Sequence, residues 1–172
     1  MQRRILVLFV DNNPGVLTRI SLLFSQKGFN ILSITASVTC VKNITRITIV
    51  TTGDNLQVEQ IIKQTSKLIE VHSVFLLDND NSIIRDLLLV KVEVNCKNKA
   101  ELCDITNRYG GKILDIAEKS VIVEITDTTI VIDNYVDELK SFKILELSRT
   151  GVTALERGDI IPEVDGGILS IK

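Results

Sequence analysis

The feature that most restricts this fold is a pattern of elements that occurs twice. A polar stretch, Asp78-Asn79-Asp80-Asn81-Ser82, separates two halves with the same predicted order. The first opens with an apolar run, Arg4–Val10, and a turn, Asp11–Gly15. Val16, Leu17, Ile20, Leu23 and Phe24 then recur at helical spacing, and Lys27-Gly28 stops that helix. Two β-rich runs follow, Asn30–Val38 and Ile44–Thr52, joined by a polar turn near Val41-Lys42-Asn43. In the second of these, Ile47 and Ile49 alternate with Arg46 and Thr48, as in a half-buried strand. Gly53-Asp54-Asn55 leads into a helix carrying Leu56, Ile61, Ile62, Leu68 and Ile69, and Val71–Leu77 closes the half. The second half repeats it. Leu87–Asn95 reads as a strand, Lys99–Arg108 as a helix stopped by Gly110-Gly111, and Lys112–Glu118 with Val121–Thr126 as a hairpin. Thr129–Lys140, with Ile130, Val131, Tyr135, Val136 and Leu139, reads as a helix, and Phe142–Ser148 as the last strand. From Thr150 the pattern dissolves.

Each βαββαβ half specifies a four-stranded antiparallel sheet with both helices on one face. The expected class is α+β, with two tandem ferredoxin-like units at residues 1–78 and 83–160 and a tail at 161–172. Units this small have small cores and leave sheet faces and edges to hide, and pairing with a second copy hides them economically. A homodimer is therefore expected.

Composition removes many functions. With 20 Lys+Arg against 22 Asp+Glu, the chain lacks the basic excess of a nucleic-acid binder. Aromatics are 4% and Trp is absent, which disfavours base stacking. One His and three Cys (Cys40, Cys96, Cys103) cannot build the usual zinc clusters, and an odd thiol count fits a reducing compartment. No segment has 18 consecutive apolar residues, so no membrane span is expected. The start, Met1–Val10, mimics a signal peptide but runs into Asp11-Asn12-Asn13 without a small-residue cleavage site, and reads as a strand. The 24 Ile against 4 Ala suggest A+T-rich coding DNA, as in an organelle or an A+T-rich bacterium, and the expected location is the cytoplasm, or the plastid stroma if the chain is organelle-encoded.

The sharpest local feature is Asp11-Asn12-Asn13-Pro14-Gly15-Val16-Leu17. Asn13 is a good N-cap and Pro14 suits the first helical position. Gly15 leaves backbone N–H groups uncovered at the positive end of the helix dipole, where a carboxylate or phosphate is accepted. Asn12 adds donor and acceptor atoms. The plainer reading is a capped helix start after a tight turn. Asn30 recurs at the start of the second strand, as ordinary turn chemistry or as a group that a partner chain brings to the helix start. His72 stands alone without a nucleophile at recognisable spacing, the cysteines read as reduced structural thiols, and Asp78 and Asp80 as solvated charges.

Arg3-Arg4-Ile5-Leu6, Asn12-Asn13-Pro14-Gly15-Val16-Leu17-Thr18-Arg19 and Leu23-Phe24-Ser25-Gln26-Lys27-Gly28-Phe29-Asn30-Ile31 together resemble the ACT domain of the acetolactate synthase small (regulatory) subunits. The likeness continues through Ser33-Ile34-Thr35, Arg46–Val50 and Glu59–Gln64. In the second half Leu89–Val92, Gly110–Asp115, Glu146–Gly151 and Glu156–Asp159 carry it. The resemblance implies a non-catalytic regulatory subunit that dimerises through its ACT domains and binds valine between them. It also implies that the chain activates a large catalytic subunit carrying thiamine diphosphate, FAD and Mg²⁺, with no cofactor of its own. The effector residues it implies are Asn12, Gly15, Val16, Leu17, Asn30, Ile31, Ile34, Thr35 and Ser37, with Leu17 and Ile34 facing the isopropyl group. Two positions depart from the family pattern: Pro14, where a small acidic residue or Ser is frequent, and Ser37, where Ala is frequent. Arg149 and Arg157 read either as capping or surface groups or as contacts to the catalytic subunit. A stand-alone tandem amino-acid sensor is the alternative. A small enzyme on this scaffold would need a cluster of titratable groups that the sequence does not offer.

Overall fold

The computed structural model describes residues 3–159, 162–164 and 167–168. The chain divides into two compact units, Met1–Ile83 with Val152–Lys172, and Ile84–Gly151. Both expected α+β patterns are present.

In the first unit β1 (Arg3–Asp11), α1 (Val16–Gln26), β2 (Ile31–Val38), β3 (Ile44–Thr52), α2 (Asn55–Thr65) and β4 (Val71–Leu76) follow in order. The sheet order is β2-β3-β1-β4, with each neighbouring pair antiparallel. Leu6, Leu8 and Val10 of β1 meet Ile47 and Ile49 of β3, and this face packs on Val16, Ile20 and Phe24 of α1 and Val58 and Ile61 of α2. Ile5, Val7 and Phe9, which point the other way, are buried too. A central strand covered on both faces reads as an unbroken apolar run rather than an alternating one.

Helix ends follow from local chemistry. At the end of α1 the Gly28 N–H donates to the Ser25 carbonyl at 3.0 Å and the Phe29 N–H to the Phe24 carbonyl at 2.9 Å. Gly28 sits at φ +74°, and the Phe24 and Phe29 rings meet edge-on at 6.1 Å. This is a Schellman motif with its hydrophobic contact. Asp54 caps α2 in a reciprocal capping box with Gln57. The core positions of α2 are Val58, Ile61 and Thr65. Leu56 and Ile69, read from the sequence as members of its apolar stripe, are instead exposed, and Leu68 and Ile69 lie beyond the helix.

The second unit is built from β5 (Ser82–Glu93), α3 (Lys99–Arg108), β6 (Lys112–Ile116), β7 (Ser120–Asp127), α4 (Thr129–Glu138) and β8 (Ile144–Arg149), in the sheet path β6-β7-β5-β8. A 3-10 turn, Leu139–Ser141, follows α4. Leu88, Val90, Val92, Val121, Val123 and Ile125 pack against Leu102, Ile105, Ile132 and Tyr135. Inside that core Tyr135 Oη and Thr106 Oγ1 lie 3.1 Å apart. β5 begins at Ser82, five residues before the expected Leu87, because Asp86 is not a loop residue. It is 3% exposed and accepts from Arg149 Nε at 3.0 Å, Arg149 Nη2 at 2.6 Å and the Gly151 N–H at 3.2 Å.

The segment after Thr150 also carries regular structure. It contributes β9 (Thr153–Glu156), and β10 (Glu163–Val164) pairs with β11 (Gly167–Ile168). Arg46 Nη2 donates to the Ala154 carbonyl at 2.5 Å, and Val152 and Ala154 are buried. Residues from Val152 therefore group with the first unit, whereas the sequence pattern places residues 83–160 together. Most of residues 160–172, including the greater part of the expected tail, lies outside the described residues.

Candidate functional site: the turn before the first helix

The Asn13–Val16 segment is a Pro-Gly turn. Gly15 has φ +88° and ψ −13°, and the Val16 N–H reaches the Asn13 carbonyl at 3.4 Å. Pro at the second position and a left-handed Gly at the third are the signature of a type II turn. This corrects the sequence reading of Asn13 as N-cap and Pro14 as first helical residue. A left-handed Gly15 cannot belong to a right-handed helix, so α1 starts two residues later than expected, at Val16, with Gly15 as its N-cap. No side chain caps the helix.

The turn is tied down at its entry. The Asn12 N–H donates to the Asn43 carbonyl at 2.8 Å, and the Asp11 N–H to the Glu70 carbonyl at 2.9 Å. Asn43, at φ +65°, lies in the β2–β3 turn. The Asp11 carboxylate is 2.7 Å from His72 Nε2, and Glu70 pairs with Arg19 of α1. Sequence reasoning gives His72 no role. Its signal lies in strand register, which no linear pattern displays.

The expected site residues fall into three groups. Asn12, Gly15 and Leu17 are exposed at the turn and the first helical residues, and Ile34 is at the exposed margin of β2. Asn30 is exposed just before β2, with its carbonyl accepting from Thr51 Oγ1 at 2.8 Å. Val16 and Ile31 belong to the core side: Val16 is 6% exposed and Ile31 packs against the same cluster. Their side chains are structural; the Val16 backbone opens α1 at the turn, whereas Ile31 pairs with Thr51 at the far end of β2 from it. Thr35 and Ser37 lie on the opposite face of β2 from Ile34. Thr35 pairs with Thr48 and Ser37 with Arg46, whereas Ile34 pairs with Ile49 of the helix-side core. Strand alternation forces this split. Ser37 instead lines a cleft of about 280 Å³ with Phe9, Val38, Thr39, Arg46, Leu155 and Pro162. There the Arg46 guanidinium stands over the Phe9 ring at 5.4 Å. Burial pushes the Arg46 pKa below its usual value, with the charge of Glu156 acting in the other direction.

Along the free edge of the sheet, β2 exposes Leu32, Ile34 and Val38. Arg149, an open question from sequence, is held between Asp86 and Asp133, at 2.6 and 2.7 Å. Arg157 is exposed, and its backbone N–H donates to the Asn81 carbonyl at 2.9 Å. The three cysteines are free thiols, Cys40 and Cys96 at the surface. Among the described residues no group of three His, Cys, Asp or Glu is placed to hold a metal ion, and no helix is long and apolar enough to cross a membrane.

Comparison with known proteins agrees across the chain. Residues 6–73 match the family model of the AHAS small subunit-like ACT domain, and residues 85–158 match that of the small subunit of acetolactate synthase. A probable acetolactate synthase small subunit of Archaeoglobus fulgidus is 38% identical, covering 92% of this chain and 99% of its own. The acetolactate synthase small subunit of Mycolicibacterium smegmatis is 35% identical over 89% and 90%. The crystal structure of the small subunit from Thermotoga maritima superposes with a TM-score of 0.86 at 31% identity, covering 93% of this chain and all of that one. With both units and their order in agreement, the chain belongs to the acetolactate synthase small subunits, the non-catalytic regulatory subunits of that complex, with an ACT domain at its N-terminal end.

Proposed function

We propose that this chain activates the large catalytic subunit of acetolactate synthase and makes it sensitive to valine in branched-chain amino-acid biosynthesis. One observation carries the reading: the Pro-Gly turn presents the start of α1 without a side-chain cap, beside exposed Asn12 and Leu17. The amino acid's carboxylate sits on the N–H groups that follow Gly15, at the positive end of the helix dipole. Asn12 holds the polar head. Asn30 comes from a second copy, and Leu17 and Ile34 receive the isopropyl group. The open β2 edge, with Leu32, Ile34 and Val38 exposed, is the surface through which two copies pair. Thr35 and Ser37 are left out of the direct contacts because they lie on the other face of β2. Thiamine diphosphate, FAD and Mg²⁺ belong to the catalytic partner, and the complex works in the cytoplasm, or in the plastid stroma if organelle-encoded.

Charge-assisted hydrogen bonds contribute about 1.5–3 kcal/mol, so Asn12→Ala should weaken valine binding roughly 10–150-fold. Calorimetric titration of the full chain measures this, and acetolactate formation by the reconstituted complex, with and without valine, measures the regulation. Equal valine heats for wild type and Asn12→Ala would sink the site. A catalytic subunit indifferent to this chain would sink the function.

A further inference from the structure

We propose that His72 is a positioning residue for the effector turn: it holds the Asp11 carboxylate on β4, so that an amino-acid carboxylate seats at the start of α1 without a competing negative charge. This rests on the valine reading and specifies a control on the same site.

The placement comes from the β1–β4 ladder. Phe9 pairs with Ser73 and Val10 with Val71, so His72 is the extra residue of a β-bulge. Bulges re-aim side chains, often beside functional sites. This one places Nε2 2.7 Å from Asp11 Oδ1, on the residue that leads directly into Asn12. The Asp11 and Glu70 carboxylates thus stand beside a turn proposed to bind an anion, and each has a partner: His72 for Asp11, Arg19 for Glu70. An unpaired carboxylate at a helix start occupies or repels what the dipole would otherwise attract. Of the elements packed on β4, β1 brings Asp11, α2 carries Glu59 and Lys63, and β10 carries Glu163.

The charge state of the pair then tunes the site. A protonated imidazole cancels the Asp11 charge, whereas a neutral one only donates a hydrogen bond to it. Valine should therefore bind more tightly below the imidazole titration than above it. By linkage, bound valine should raise the titration midpoint of His72. Because His72 is the sole histidine, its C2 proton resonance is unambiguous.

The test is calorimetry of the full chain with valine at about pH 5.5 and about pH 8.5, either side of the ordinary imidazole value near 6.5. Proton NMR titration of His72 with and without saturating valine accompanies it. Wild type should bind roughly two- to fivefold more weakly at the higher pH, the scale of one charge at a helix terminus. His72→Gln, which keeps a donor but not the titration, should lose the pH step, and Asp11→Asn, which removes the charge that the imidazole offsets, should bind valine at the higher pH about as tightly as wild type does at the lower. A step that persists in His72→Gln, or a His72 midpoint unmoved by valine, overturns the proposal while leaving valine binding intact. If wild type binds no valine at either pH, the effector reading fails and this proposal falls with it. The NMR titration on wild type decides the matter even if a variant does not fold.

Discussion

Replacing Arg149 with Met should destabilise the second unit by about 3–4 kcal/mol, the lower part of the cost of stranding a buried ionic partner. Asp86 is 3% exposed and has three donors at hydrogen-bonding distance: Arg149 Nε at 3.0 Å, Arg149 Nη2 at 2.6 Å and the Gly151 N–H at 3.2 Å. Thr150 Oγ1, at 3.5 Å, is too long to count for much. The substitution removes two of the three donors and the cation paired with that carboxylate. Stranding one partner of a buried pair costs about 3–5 kcal/mol. The lower end applies because the Arg149 side chain is 28% exposed and water can partly replace it. The second arm, to the more exposed Asp133, adds at most about 1 kcal/mol. Urea unfolding is the assay, followed by tyrosine fluorescence. The chain has no Trp, and its two tyrosines, Tyr109 and Tyr135, both lie in the second unit, so the signal reports that unit alone. Asp86→Leu combined with Arg149→Met should recover most of the loss, since an apolar pair of similar size replaces a buried ion pair at little cost. The coupling between the two sites should be about 2–3 kcal/mol. A single-variant loss below about 1 kcal/mol, or additive losses in the double variant, would show that Asp86 and Arg149 behave as an ordinary surface pair.

The same cluster sets a pH expectation. Burial alone would lower the Arg149 pKa, but its hydrogen bonds to Asp133 and Asp86, with their charges, outweigh this and hold it above the usual arginine value. A folded-state value above the unfolded one gives stability that is fully present below the unfolded value and lost only as pH rises through the folded one. The arginine's contribution should therefore be constant from about pH 6 to pH 9, and urea curves at both ends of that range check it. The two glycines after α3 should also respond differently to Ala. Gly110, at φ +64° with open space where a Cβ would stand, should cost only the left-handed conformation, about 1–2 kcal/mol. At Gly111 a Cβ would lie 2.8 Å from Thr106 Cγ2 and 2.9 Å from Ile125 Cγ1, both buried, so overpacking should cost about 1–3 kcal/mol. Thermal unfolding of Gly111→Ala with wild-type midpoint would refute the packing argument.

How much was legible from sequence depended on whether the cause was local. β3 and α3 occupy the expected residues, Ile44–Thr52 and Lys99–Arg108, because alternation, helical spacing and terminating glycines all act within a few residues of one another. The helix stop at Gly28 was equally readable, since a left-handed residue at that point needs no distant partner. The start of α1 was misplaced by one turn chemistry competing with another: Pro14 suits both a first helical position and the second position of a type II turn, and Gly15 decided for the turn. Ser82 read as linker, and residues 83–86 were left out of the expected strand, because a strand carrying a buried carboxylate is intelligible only once Arg149, 63 residues after Asp86, is placed against it. The candidate site divides in the same way. Asn12, Gly15 and Leu17 were found as a contiguous motif, whereas the separation of Ile34 from Thr35 and Ser37 needed the β2–β3 register.

Periodicity and turn chemistry, which act over a few neighbouring residues, were enough to specify the two βαββαβ units, their order and the turn that opens the first helix. Long-range pairing settled the rest. It gave His72 to Asp11 through a bulge, Asp86 to Arg149 across the β5–β8 pair, and Val152 and Ala154 to the first unit. Each of these depends on the register of strands or segments far apart in the chain. A shift of one residue in such a pairing turns every side chain to the opposite face, and nothing in the linear pattern near these residues records which register wins.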